Sequence, residues 1–222
     1  MYSQRDEEKY ILEAFDGKTD GRFLDIGAWH PTVFSNTRAL IEMGWSGVMI
    51  EPSPGPFLNI VRACIGCGKI PPETHGERKA SQCPSCGCGT FYGTDPRLTL
   101  IPAAVGMEGG LLRMRITDDA VSTSKEANYQ EWKEIGGFYG EILVPVLTWR
   151  NIYNQFEGFD FVSIDAEGIS ADLFMQLLQT METRPPVICV EHDGRHVEVG
   201  NLATSKGYKI LYVGGENLVM AQ

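Results

Sequence analysis

Apolar residues fall along this 222-residue chain in short runs of strand length, closed by glycine, proline or an acid, with helical spacing between them. Residues 22–27 (RFLDIG), 47–51 (GVMIE), 160–165 (DFVSID) and 187–191 (VICVE) are nearly continuous apolar runs, the pattern of strands buried on both faces. Residues 98–105 (LTLIPAAV), 111–116 (LLRMRI) and 141–147 (EILVPVL) predict three more strands, the first two joined by a turn at Gly109 and Gly110. Helical spacing appears at 6–15, 35–43, 57–62, 148–156 and 169–181, and weakly at 125–135, with Ser35 as an N-cap and Gly17 and Gly44 as terminators. Two final strands, 208–213 and 217–221, flank Gly214 and Gly215 and predict an antiparallel hairpin. Strands alternating with helices predict an α/β fold: a mostly parallel sheet covered on both faces, the hairpin at one edge, and helix 6–15 as a lid on the core.

Charge narrows the partners. The chain carries 29 acidic residues against 19 Lys plus Arg, a formal net charge of −10, which repels a phosphate backbone and argues against nucleic acid. No apolar run approaches the roughly 18 residues of a membrane span, and the acidic first fifteen residues do not suit a signal peptide. A cytoplasmic chain without membrane contact is expected.

Five of the six cysteines lie between Cys64 and Cys88. Cys64 and Cys67 form one CxxC and Cys83 and Cys86 another, with fifteen residues between the pairs, the spacing of a four-thiolate structural zinc site. Cys88 is the spare, able to exchange with Cys86. A zinc-ribbon-like insert over 63–93, closed to water and substrate, would order this segment and offer a contact surface for a protein partner. Cys189, inside VICV, is expected to be a small buried hydrophobe.

In doubly wound sheets ligands bind outside the carboxyl ends of the strands, so the residues at those ends carry the chemistry. Asp25, Gly27 and Ala28 end the first strand, where small residues let backbone approach a cofactor. Glu51 ends the second, twenty-four residues beyond Gly27, placed to accept both hydroxyls of a ribose. Ala103, Ala104 and Val105 are small enough to wall an adenine slot. Asp165 and Glu167, in SIDAEG, set two carboxylates at the mouth of a central strand, where capping of the next helix is the structural alternative.

These segments together resemble a known family. FLDIGAWHPTVFSNTRALIEMGWSGVMIEPSP is similar to the opening of the FkbM-type methyltransferases, with a DxGA turn, a helix led by Ser and Thr, a GWxG link and an EPxP loop that adds Pro52 to the cofactor residues. VPVLTWRNI and DFVSIDAEG resemble the later signature. Trp29, His30 and Pro31, together with the cysteine insert, depart from the family pattern. The resemblance implies a Rossmann-like class I fold with a seven-stranded sheet, binding S-adenosylmethionine and methylating a hydroxyl of a sugar, glycan or secondary metabolite.

Such a reaction needs positioning and a base near the hydroxyl. His192, in VEHD, is the first candidate base, with Asp165 and Asp193 behind it; His30 is a second, and Trp29 is placed to stack on a ligand or to cover the core. Two other readings compete. A nicotinamide or nucleotide-sugar Rossmann enzyme would also use Glu51, although GxGxxG is absent. A non-catalytic zinc-ribbon adaptor would bind protein or RNA.

Overall fold

The computed structural model describes residues 1–63, 95, 97–117, 122–134 and 137–222. The insert with Cys64, Cys67, Cys83, Cys86 and Cys88 lies outside the described residues.

Helix α1 (Glu7–Phe15) leads into strand β1 (Arg22–Ile26), helix α2 (Arg38–Glu42), strand β2 (Ser46–Ile50) and helix α3 (Pro54–Ala63). Strands β3 (Leu98–Ile101), β4 (Ala104–Val105) and β5 (Gly110–Ile116), helix α4 (Glu126–Trp132) and strand β6 (Gly140–Leu147) follow. The chain then alternates through α5 (Trp149–Gln155), β7 (Phe161–Ile164), α6 (Ser170–Thr180), β8 (Val187–Glu191) and α7 (His196–Ser205), and ends in β9 (Lys209–Val213) and β10 (Asn217–Ala221).

Seven strands form the central sheet in the order β3-β2-β1-β7-β8-β10-β9. Neighbours from β3 to β8 run parallel, and β10 lies antiparallel to both β8 and β9. The expected mostly parallel sheet with an antiparallel C-terminal hairpin is therefore present. Strand β1 begins the crossing from one half of the sheet to the other, so its carboxyl end lies beside those of β2 and β7, at the switch point where such folds bind ligands.

The central strands are buried on both faces because alternate side chains feed two cores. Leu24, Ile26, Val162, Ile164, Ile188 and Val190 meet Trp149, Phe174, Leu177 and Val199 from α5, α6 and α7. Phe23, Met49, Phe161 and Cys189 face Ile11, Leu40, Trp45 and Ile60, so α1 covers the second core as a lid. Cys189 is a buried hydrophobe, as expected. Trp45 is fully buried, meets Phe15 edge-on with ring centroids 4.5 Å apart, and donates from its indole N–H to the Lys18 carbonyl at 2.8 Å.

Four expectations need correction. The run 98–105 is not one strand: Pro102 has no N–H for the ladder, the Ala103 N–H turns back to the Ile101 carbonyl at 3.0 Å, and the two halves enter different sheets. Runs 111–116 and 141–147 do not join the central sheet; β5 and β6 pair antiparallel, and with β4 they form a separate three-stranded sheet in the order β4-β6-β5. Helix α2 starts at Arg38, because Thr37 turns its hydroxyl to Asp25, while the Ser35 hydroxyl accepts the Arg38 N–H at 3.1 Å. Helix α3 starts at Pro54, an imino acid already set for a first helical turn. Helix α7, with Val199 and Ala203 buried, had no marked apolar periodicity to announce it.

Trp45→Ala would leave the second core with a cavity and the Lys18 carbonyl without its donor. The expected loss is about 3–5 kcal/mol, read as a lower urea midpoint with an unchanged m-value.

Candidate active site

Three strand ends are bound to one another by backbone. The N–H groups of Gly27 and Ala28 donate to the Ile50 carbonyl at 2.9 and 3.2 Å, and the Asp165 N–H donates to the Ile26 carbonyl at 2.9 Å. Gly27 has φ +76°, and a Cβ at its position would stand 1.6 Å from the Asp165 carbonyl oxygen. Only glycine permits β1 and β7 to close this tightly.

Above this junction is a cavity of about 370 Å³. Asp25, Gly27, Ala28, Glu51, Pro52, Ala103, Ala104, Val105, Asp165 and Glu167 all line it, so the structure brings together every cofactor residue expected from the sequence. Small β4 residues and Leu112 and Met114 of β5 make the wall contributed by the second sheet. Ser122, Thr123, Ser124 and Trp132 line it from the stretch around α4, and Gln4 from the segment before α1.

Each acid is held differently. Glu51 is buried, and its two oxygens accept the Trp29 N–H at 3.0 Å and the Ser53 N–H at 2.6 Å. Burial raises its pKa, against the pull of those two bonds and of one from the Ser53 side chain. The Ser53 side chain makes a third bond to Glu51, which leaves about one of a carboxylate's roughly four acceptor positions for a ligand hydroxyl. Asp25 accepts the Thr37 hydroxyl at 2.6 Å, and burial pushes its pKa from 3.8 to about 6, against bonds from Thr37 and Ser163. Asp165 lies one step past β7 and Glu191 at the end of β8, adjacent parallel strands in which Ile164 is level with Val190. Burial first, then the charges of Glu191 and Glu167, drive the Asp165 carboxyl well above the ordinary carboxylate range. Burial and the Asp193 charge raise Glu191, which accepts the Ser170 hydroxyl at 2.9 Å as well as a bond from Asp165.

The loop after β1 is strained. Trp29 and Phe34 have φ of 34° and 55°, left-handed values that bulky residues rarely adopt, and their rings stack with centroids 5.9 Å apart at the cavity rim. The Trp29 N–H bond to Glu51 helps to hold this geometry.

Three candidates do not line the cavity. His192 is buried beside it, with Nδ1 accepting the Gly194 N–H at 3.1 Å and Nε2 3.4 Å from the Gly214 carbonyl. Asp193 accepts the Ala171 N–H at 2.8 Å in the first turn of α6. His30 receives the N–H groups of Thr32 and Val33 on Nδ1, at 3.1 and 2.9 Å, and partial burial lowers its pKa. Strand alternation explains the first miss: in β8 the cavity receives Glu191, so the next residue points away. Glu191 was visible as the last residue of VICVE, whereas Asn36, Ser163, Trp132 and Glu216 carried no local signal and reach the cavity only through the fold.

The Methyltransferase FkbM domain profile matches residues 25–210, spanning the β1 turn, the β2 loop and the β7 loop in one alignment. The chain belongs to the FkbM methyltransferase family. No curated protein matches the sequence with significance. The fold is similar to the crystal structure of Methyltransferase FkbM from Methylobacillus flagellatus KT, with a TM-score of 0.51 and 11% identity over 92% of this chain. That likeness is one of fold, and this FkbM chain spans 44% of its length. Among the described residues no group of three or more His, Cys, Asp or Glu is placed to hold a metal ion, and no helix is long and apolar enough to cross a membrane.

Asp25 gives the site a pH signature. The folded protein keeps a proton on Asp25 between about pH 4 and 6 that the unfolded chain has released, so stability falls as pH rises through that window. Asp25→Asn, which cannot ionise, should gain about 2 kcal/mol relative to the parent between pH 4 and pH 7, checked by urea unfolding at both values.

Proposed function

We propose that this protein transfers a methyl group from S-adenosylmethionine to a hydroxyl oxygen of a sugar, glycan or secondary metabolite. The observation that carries this reading is that Gly27 and Glu51, read separately from the sequence, line one cavity whose charged residues are all acids: Asp25, Glu51, Asp165, Glu167, Glu191 and Glu216, with no Lys, Arg or His among the described lining residues. Such a site suits a cation and repels a pyrophosphate, which counts against a nicotinamide or nucleotide-sugar ligand.

The residues fit the donor. Glu51 keeps an acceptor position for a ribose hydroxyl, Ala103 and Ala104 leave a flat wall for the base, and Gly27 and Ala28 bring main chain against the cavity with no bulky side chain. When bound, S-adenosylmethionine supplies an electrophilic methyl on a positively charged sulfur. Asp25 and Glu191 set the negative field around that charge, and Pro52 and Ser53 hold the loop that aims Glu51. Trp29, Phe34 and Trp132 offer aromatic faces for a sugar ring, and Ser122, Thr123 and Ser124 offer hydroxyls to orient it. The residues thus act chiefly by holding the acceptor oxygen in line with the methyl group, a positioning effect worth several kcal/mol.

A ligand at about a hundred times its Kd adds about 2.7 kcal/mol of stability, or a rise in Tm of about 5–10 °C for a chain of this size. S-adenosylmethionine and S-adenosylhomocysteine should each give this shift and NAD none, and Glu51→Ala should abolish it. Stabilisation by NAD alone would replace the methyltransferase donor by a dinucleotide.

The thiolate spacing of Cys64, Cys67, Cys83 and Cys86 supports a structural zinc in the insert, apart from the chemistry. Elemental analysis of the purified chain should find about one zinc, released together with the loss of four thiolates' protection from an alkylating reagent.

A further inference from the structure

The acceptor's hydroxyl proton must leave as the methyl group arrives, and among the described residues the histidines His30, His192 and His196 do not line the cavity. The carboxyl groups at the ends of β7 and β8 do. Asp165 and Glu191 line the cavity side by side, at level positions just past the paired residues Ile164 and Val190 of adjacent parallel strands, and two ionised carboxylates buried so close repel each other, a repulsion that one shared proton removes. We place that proton on Asp165, the more deeply buried of the two and the one with more acidic neighbours, so that it donates to Glu191. Glu191 is further oriented by the Ser170 hydroxyl at 2.9 Å, and that hydroxyl itself accepts the Ala166 N–H at 2.8 Å. Glu191 is thus a fixed acceptor on the cavity wall, with one neutral neighbour.

We propose that Glu191 is the catalytic base, with protonated Asp165 as its positioning partner. This rests on the methyltransferase reading. In the step, the acceptor O–H bond breaks and its proton passes to a Glu191 oxygen. The acceptor oxygen bonds the methyl carbon, the carbon–sulfur bond breaks with its electrons going to sulfur, and the sulfonium leaves as a neutral thioether. Charge is conserved, since one carboxylate and one sulfonium are both neutralised.

The surroundings tune the pair. Asp25 faces it from β1, Glu167 from its own loop, Asp193 from the turn after β8 and Glu216 from the turn before β10, all acidic. Lys125 reaches the Gly168 carbonyl in the loop after β7. Four acids keep the pair's proton in place, and a sulfonium in the cavity works against them. Burial and these charges raise the affinity of Glu191 for protons, which makes it a stronger base at neutral pH than an exposed carboxylate.

Calorimetric titration of the full chain in buffers of different ionisation enthalpy tests the placement without any acceptor. S-adenosylmethionine should bind with release of a larger fraction of a proton than S-adenosylhomocysteine, whose sulfur is neutral. Glu191→Gln should erase that difference with donor affinity within about threefold of the parent. An equal proton count for both ligands, or a difference that survives in Glu191→Gln, overturns the proposal; binding of neither ligand removes the donor assignment instead. With any hydroxyl acceptor that the parent methylates, Glu191→Gln should lose at least about 100-fold in kcat with little change in KM, and Glu191→Asp should recover part of it. The parent kcat should rise with pH to a plateau, and that rise should vanish in Glu191→Gln. A kcat within about threefold of the parent overturns the base.

Discussion

The site depends on how closely β1 approaches β7. Gly27 lets the main chain pass the Asp165 carbonyl where no side chain fits, and the bonds from Gly27, Ala28 and Asp165 to the neighbouring strands hold the three ends in register. The first loop is thereby turned toward Glu51, and Asp25 is left at the base of the cavity, between Thr37 and Ser163. Residues from widely separated parts of the chain meet because parallel strands put all their carboxyl ends on one side.

That geometry concentrates negative charge. Six acids line one cavity, and for Asp25, Glu51, Asp165 and Glu191 burial makes ionisation unfavourable unless something positive enters. Glu51 is compensated by two backbone N–H donors and the Ser53 side chain, and Asp25 by hydroxyls, so these two are held rigidly. Asp165 and Glu191 stand beside each other, with Ser170 donating to Glu191, an arrangement that favours holding a proton between them. The difference separates acids suited to binding from acids suited to proton transfer.

The second, three-stranded sheet completes the enclosure. Pro102 diverts the chain out of the central sheet after Ile101, and β4 carries Ala104 and Val105 onto the cavity wall next to Leu112 and Met114 of β5. Without that break the run 98–105 would continue as a sheet strand, and the wall facing Glu51 would have to come from elsewhere. One imino acid thus separates the strand that extends the sheet from the strand that closes the site.

Much of this was legible in the residues alone. Apolar runs ending in Asp25, Glu51 and Asp165 announced buried parallel strands and their ligand-binding ends, because burial on both faces needs continuous apolar side chains and a ligand at the sheet's edge needs polar ones. The glycine at the close approach and the final hairpin followed from local chemistry too. Partners across the fold did not follow. His192 looked like the base because histidine titrates near neutrality, yet strand alternation turns it from the cavity and presents Glu191, and only the pairing of β7 with β8 sets that carboxyl against Asp165. Local sequence determines which residues can end a strand; which of those ends become neighbours is a property of strand order, and strand order is decided by packing across the whole chain.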